Sequence, residues 1–222
     1  MSGSVITFAE EPPEVLPIFP LPSVLLLPRG RLPLVLFEPR YLNMALDALG
    51  NRRIIGMVQT KGAEPHPVAD DDPVYDIGCA GRITQFSETD DGRLLITLTG
   101  VSRFRIFDEV ESVGGYRRVK ADFGTFTGDK EEGNGIRVDR PRLIDALRTY
   151  FRVKELDADW EAIEKTEDEA LVTSLAMICP LAGEEKQALL ETNGVQARAE
   201  LLTGLIEMAA LEGDEAVTDV RH

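Results

Sequence analysis

Short apolar runs interrupted by proline mark the first part of the chain, most clearly over residues 19–46, FPLPSVLLLPRGRLPLVLFEPRYLNMAL. A membrane-spanning helix needs about 20 consecutive apolar residues, and the prolines and charges here keep every run far below that length. Short apolar runs bounded by Pro and Gly are typical of buried strands, because proline is tolerated at strand ends and edges. We therefore predict strands at 24–27 and 32–37 joined by a turn, followed by a helix from Pro39 to a stop at Gly50.

Strand-like patterns continue to about residue 124. An apolar run covers residues 54–60, and after a polar loop at 61–73 the alternation of apolar and polar residues resumes. The Asp91–Gly92 pair is typical of a tight hairpin turn between neighbouring strands. The predicted strands of this region are 54–60, 78–87, 93–99, 103–111 and 116–123.

Beyond a Gly-rich, charged stretch at 124–136, the apolar residues recur at a helical period. Helix starts are marked by residue types that accept hydrogen bonds from free backbone N–H groups. The predicted N-caps are Asp139, then Asp157 or Asp159, then Thr166 in a capping box with Glu169. Two more helices are predicted at 184–191 and 195–211.

These patterns together predict an α+β fold in a chain of 222 residues, long enough for one large or two small domains. A hydrophobic content of 43% and a charged content of 28% indicate a soluble globular protein. The predicted organisation is a flexible N-terminus (1–14), a β-rich unit (15–124), a linker (125–138), a helical bundle (139–212) and a flexible tail (213–222).

The charge balance excludes two classes of partner. The formal net charge is −15, from 39 acidic and 24 basic residues. Binding to nucleic acid or to an anionic membrane surface requires clustered Lys and Arg, and the sequence has no basic run. We therefore expect neither a nucleic-acid partner nor a membrane partner.

The two cysteines and the N-terminus bear on the cellular compartment. Cys79 and Cys179 lie far apart in apolar surroundings, which favours reduced, buried thiols over a disulfide. The N-terminus has neither the basic region nor the apolar region of a signal peptide. We predict a cytoplasmic protein.

Candidate catalytic chemistry is sparse. The histidines, His66 and His222, show no spacing typical of a metal site. Cys79 with His66 as a base is a conceivable nucleophile, but the apolar flanks of the cysteine favour a buried structural residue. We expect no metal, no cofactor and no catalytic residue.

Polar residues beside aromatic ones suggest two candidate binding positions. At the predicted strand-to-helix corner, Glu38 and Arg40 lie between Phe37 and Tyr41. These side chains either form an ion pair that holds the corner or border a groove for an extended peptide. Arg103 and Phe104, at the start of a predicted strand, admit the same two interpretations.

Three blocks of sequence carry a family resemblance: LPIFPLPSVLLLPRGRLPLVLFEPRYLNMALDAL, then VYDIGCAGRITQF, then DGRLLITLTGVSRFRI. In this order they resemble the N-terminal substrate-recognition domain of Lon proteases, and the cereblon Lon-like domain is a more distant relative. The resemblance implies a PUA-like β-pseudobarrel followed by a C-terminal α-helical bundle. The sequence has no nucleotide-binding G-x-x-x-x-G-K-[ST] motif and no protease dyad context. It therefore resembles a stand-alone bacterial protein of this type, without ATPase or protease activity.

Two functions remain open. The first is a non-catalytic protein-recognition module that binds peptides or unfolded client proteins by strand addition or in a cleft, as an adaptor in proteolysis or quality control alongside a separate protease or chaperone. The alternative is a small-ligand-binding protein or enzyme that uses the crevice between barrel and bundle. The sequence leaves the oligomeric state undetermined.

Overall fold

The computed structural model of the protein describes residues 12–62, 68–69, 71–130 and 138–219, with the backbone alone at 130 and 213–219. The two histidines lie outside the described residues. The strands are β1 (Val15–Pro20), β2 (Arg31–Leu36), β3 (Ile54–Val58), β4 (Ile77–Glu88), β5 (Leu94–Val113) and β6 (Tyr116–Asp122). The helices are α1 (Pro39–Leu49), α2 (Arg140–Val153), α3 (Trp160–Lys165), α4 (Asp168–Ile178), α5 (Gly183–Glu191) and α6 (Val195–Asp219).

Strand pairing closes most of the sheet into a ring. The order is β2-β5-β4-β3-β1-β6, and β5 also pairs with β6, so five strands form a closed barrel. The pairing of β1 with β3 is parallel, and the other pairs are antiparallel. Strand β2 lies outside the ring, bonded to the first part of β5. The predicted α+β class is confirmed.

The predicted strand at 24–27 is wrong, and a real strand, β1, was missed just before it. Residues 25–27 are nonetheless fully buried, in an irregular segment that ends in a turn where the Gly30 N–H donates to the Leu27 carbonyl. At Gly100 a Cβ would lie 2.0 Å from the Leu27 carbonyl oxygen, so the segment is pressed directly against β5. The apolar run predicted burial correctly but not backbone conformation.

A second correction concerns β5. The strands predicted at 93–99 and 103–111 are one continuous strand of 20 residues. The strand needs the glycine at position 100 in its interior because Leu27 approaches so closely that a side chain there would clash. Register shifts at bulges, such as that between Ile106 and Asp108, accompany its pairing first with β2 and β4 and then with β6.

The helix caps agree with the sequence in two of three cases. Asp139 accepts a hydrogen bond from the Arg142 N–H, and Asp159 accepts one from the Ala162 N–H. Thr166 does not cap α4, because its hydroxyl donates to the Ala162 carbonyl and so completes α3 instead.

The structure adds helical segments where the sequence suggested irregular chain. Helix α6 continues to Asp219, past the predicted end at 211. A 3-10 helix covers Gly124–Lys130, inside the stretch predicted to be a linker, and it buries Phe126.

One large apolar cluster joins the barrel to the helices. It includes Leu26 of the irregular segment, Leu36 of β2, Leu175 of α4 and Leu202 of α6. A smaller cluster fills the barrel around Phe104. The irregular segment thus lies between the two layers and presents its turn at 28–30 to α4, which positions the site described next.

Candidate functional site

Arg103 is an interior residue that joins three elements. Its side chain is 3% exposed, and its Nη2 lies 2.8 Å from Oδ1 of Asp129 on the 3-10 helix. Its Nη1 donates to the backbone carbonyls of Leu190 and Thr192, each at 3.0 Å, at the end of α5. The guanidinium also stacks on the Phe126 ring at 4.5 Å. These contacts hold the bundle against the barrel.

Phe104 is buried completely inside the barrel. Its ring lies where a Cβ on Gly56 or Gly78 would come within 2.8 or 2.9 Å, so both strands need glycine beside it. The structural interpretation therefore applies to both residues of this pair. Arg103 is buried between the barrel and α5, and Phe104 is buried inside the barrel, so neither side chain is presented to a partner at the surface.

At the strand-to-helix corner, Glu38 and Arg40 contact each other. Arg40 Nη2 lies 2.9 Å from Oε2 of Glu38 and donates to the Val68 carbonyl at 2.5 Å. The guanidinium also lies over the Tyr41 ring, which is buried. Phe37, by contrast, is 64% exposed. The ion pair holds the corner, and a partner contact through Phe37 stays a prediction.

A cleft of about 410 Å³ lies between the turn at 29–31 and helix α4. Its wall is built by close packing, because a Cβ on Gly30 would come within 2.4 Å of the Met177 sulfur. An ion pair between Arg29 Nη1 and Glu169 Oε1, at 2.7 Å, also borders the cleft. This is the crevice between barrel and bundle that the sequence suggested only in outline.

A second cleft, of about 330 Å³, lies between α2, α3 and α4. The two clefts share Ser174 and Ile178, and the Ile178 side chain is 68% exposed between them. We call the two clefts, together with the two residues that they share, the α4 groove. The residues that line the second cleft are mainly apolar, including Phe151, Leu171 and Leu175.

Leu171, Leu175 and Ile178 recur at a helical period, which predicts that all three face the core. The structure buries the two leucines and the following Cys179 but leaves Ile178, the last residue of the helix, exposed. An apolar residue at the final helical position, directly before Cys179 and Pro180, was the one available signal.

Both cysteines and Lys186 are buried. Burial raises the pKa of the Cys79 thiol far above its usual range and raises the pKa of the Cys179 thiol to about 11. Burial lowers the pKa of Lys186, whose Nζ donates to the Ser23 carbonyl at 3.1 Å. A thiol that is protonated at neutral pH is a poor nucleophile.

The described residues include no cluster of three or more His, Cys, Asp or Glu side chains suited to holding a metal. Within the same part of the chain, no helix has the length and apolar character needed to span a membrane.

Comparison with known proteins places this architecture. Lon protease 2 of Myxococcus xanthus is 29% identical over 201 residues, and Lon protease of Anaeromyxobacter dehalogenans is 28% identical over 210 residues. These matches cover 89% and 93% of the chain, which spans only 24% of each relative's length.

Among solved structures, the Lon N-terminal domain protein from Xanthomonas campestris matches with a TM-score of 0.58 and 24% identity, over 86% of this chain and 97% of that one. The N-terminal domain of Mycobacterium avium complex Lon protease matches with a TM-score of 0.53 and 16% identity, with the same coverage. Both show the same fold. The sequence model of the ATP-dependent protease La (LON) substrate-binding domain matches residues 15–208, and the chain therefore belongs to this family.

Proposed function

We propose that the protein recognises polypeptide segments with accessible apolar side chains and holds them in the α4 groove. The observation that carries the proposal is Ile178, a large apolar side chain that is 68% exposed between two clefts. A bound segment that places one side chain in each cleft would contact Ile178 between them. Membership of a family named for substrate binding supports the same role.

The physical chemistry of the groove favours an unfolded or extended client. Burying one apolar side chain of the size of leucine contributes about 1.5–3 kcal/mol, so two anchors, one in each cleft, contribute about 3–6 kcal/mol of the roughly 8 kcal/mol that a micromolar affinity requires, before the costs of association. Folded proteins bury such side chains, and unfolded segments present them. In this proposal the domain supplies recognition, and a separate protease or chaperone acts on the client.

The test is a binding titration of fluorescently labelled, permanently unfolded proteins, with Ile178→Glu as the groove variant. Leu211→Glu is the matched control, because Leu211 is 67% exposed on α6 and does not line the groove. We expect Ile178→Glu to weaken binding about tenfold or more and the control to leave it unchanged. Equal affinities for the wild type and both variants would exclude the groove.

The volume of the first cleft favours one second candidate, a small apolar ligand. At about 410 Å³ the cleft lies within the range of small-molecule sites, about 300–1,000 Å³. A ligand of this kind would raise the melting temperature of the wild type but not that of Ala170→Phe, because Ala170 is an exposed residue of the lining and a larger side chain there would occupy the cleft. A metabolite screen without such a shift would remove this candidate.

A further inference from the structure

Strand β2 presents an open edge. Among the described residues, β5 is the only strand bonded to it. The Gly30 carbonyl accepts from the Gly100 N–H at 2.8 Å, so by the alternation of an antiparallel ladder residues 32, 34 and 36 bond to β5. The main-chain groups of Arg31, Pro33 and Val35 then point away from β5. Pro33 fits that side, because proline has no N–H to contribute to a ladder.

One end of the sheet face beside this edge is basic. Arg31 is exposed and lies opposite Thr99 of β5, which in turn lies opposite Arg82 of β4, so these three side chains form one row across the strands. Arg82 Nη1 also donates to the Arg52 carbonyl. Two glutamates, Glu167 and Glu169, line the cleft that Arg31 borders, and Glu169 forms its ion pair with Arg29.

The other end of the same face is apolar. Val35 is 50% exposed and lies opposite Leu95, which is 40% exposed and lies opposite Ser87. Phe37, the residue directly after β2, is also exposed. Across β2, β5 and β4 the three rows on this face are Arg31–Thr99–Arg82, Pro33–Thr97–Gln85 and Val35–Leu95–Ser87. None of the three rows includes an acidic side chain.

From this arrangement we propose that β2 accepts an extended polypeptide segment as an added strand, with an acidic side chain beside Arg31 and an apolar side chain beside Val35. Arg31 and Val35 are four residues apart on one face, so the two side chains of the added strand must also be four residues apart. In antiparallel addition the apolar residue comes first, in the pattern apolar-x-x-x-acidic. The main chain supplies affinity and the spacing supplies specificity.

Charge and geometry select this occupant over other partners. A nucleic acid would meet a few arginines at this face and strong repulsion from a protein with a net charge of −15. A second copy of the chain pairing β2 with β2 in antiparallel fashion places Arg31 against the apolar end of its partner or against another arginine, so the face does not complement itself.

The proposal extends the proposed function to a second surface, and it does not require the α4 groove to work. Arg31 also borders the first cleft, so an occupant of the groove and a strand on β2 would meet there. The experiment therefore includes Ile178→Glu, which is expected to leave binding to the β2 edge unchanged.

The test uses labelled peptides of about seven residues, the length of an ordinary strand, with Leu and Glu four positions apart in a Thr-rich background. The expected result is saturable binding that weakens about tenfold or more when Glu becomes Lys, when the spacing becomes three, or when the bonding N–H groups are methylated. The change of spacing places the two side chains on opposite faces of a strand. These peptide changes leave the protein untouched, so a folding defect cannot imitate them.

The protein-side test is a charge exchange. Arg31→Glu is expected to lose the Glu peptide and to bind the Lys peptide, with unfolding by urea confirming that the variant is folded. Equal binding of peptides with spacings of three and four would overturn strand addition. Equal binding of inorganic polyphosphate, or a concentration-dependent dimer that Val35→Lys abolishes, would also overturn the proposal in favour of a general anion site or self-association. If Ile178→Glu loses the unfolded clients but keeps the test peptide, both surfaces function. If Ile178→Glu keeps the unfolded clients, the proposal for the α4 groove fails. If it loses the test peptide, the proposal for the β2 edge fails.

Discussion

Arg103 and Asp129, on β5 and on the following 3-10 helix, form a doubly bonded ion pair in the interior of the protein. Nε and Nη2 of Arg103 lie 3.0 and 2.8 Å from the two carboxylate oxygens of Asp129. The same guanidinium donates to carbonyls at the end of α5, where it satisfies acceptors that a helix C-terminus leaves without partners. The pair therefore determines how the barrel and the helices fit together.

Removing one member of this pair is expected to destabilise the protein severely. Asp129→Asn or Arg103→Met leaves the other member without its full set of partners in the interior, and such changes cost about 3–5 kcal/mol. Urea unfolding followed by circular dichroism measures the change. The control is Lys165→Met, which breaks the exposed Glu161–Lys165 pair and is expected to cost about 0.3–0.5 kcal/mol. Similar losses in both variants would contradict the role assigned to Arg103.

Two glycines are expected to respond to alanine in opposite directions. Gly100→Ala would place a Cβ 2.0 Å from the Leu27 carbonyl oxygen, a backbone atom that cannot move independently, so we expect a loss of about 3 kcal/mol or more. Gly204 lies in α6 with no described atom within 4 Å of an added Cβ. Gly204→Ala should therefore stabilise the protein by about 0.5–1 kcal/mol through helix propensity. Thermal and urea unfolding of the two variants provide the comparison.

Stability is expected to fall in alkaline solution because of the buried thiols. Burial raises the pKa of Cys179 from 9.0 to about 11, so between these values the unfolded chain loses a proton that the folded chain retains. The stabilisation is complete below pH 9 and is lost as the pH rises to about 11, at about 1.4 kcal/mol per pH unit at most.

The difference in unfolding free energy between the wild type and Cys179→Ala isolates this contribution. We expect that difference to shrink between about pH 9 and about pH 11. Lys186 is present in both proteins, so the opposite pH dependence from its lowered pKa largely cancels. A difference that stays constant across this range would show that Cys179 does not titrate as inferred.

Two variants at the strand-to-helix corner distinguish a structural role from a binding role. Arg40→Ala removes the Glu38 ion pair and the bond to the Val68 carbonyl, and we expect a loss of about 1–2 kcal/mol. Phe37→Ala should change stability by no more than about 0.5 kcal/mol because its ring is exposed. If Phe37→Ala weakens peptide binding while its urea midpoint is unchanged, the corner contacts the client. Unchanged binding would confine the corner to a structural role.

Much of the fold can be predicted from the sequence because the sequence signals for it are local. The caps at Asp139 and Asp159, the Asp91–Gly92 turn and the start of α1 at Pro39 each depend on residues a few positions away. The resemblance of the three apolar blocks to Lon substrate-binding domains is confirmed by the family match over residues 15–208.

Features that depend on distant residues escaped prediction. Residues 24–27 looked like a strand because an apolar run reports burial and not the backbone path, which the approach of Gly100 decides. The partner of Arg103 is 26 residues away, in a stretch whose glycines and charges suggested a linker.

The sequence by itself determined the β-rich first part and the helical second part of the chain, its acidic character and its family, because periodicity, caps and motifs act over a few residues. Only the tertiary structure decided which surfaces exist. Arg31 and Arg82 belong to separate segments, and antiparallel pairing places them on either side of Thr99. Ile178 becomes a ridge between the two clefts although Leu175 and Cys179 on either side of it are buried. Such surfaces arise from packing between segments far apart in the chain, for which a single sequence carries no local signal.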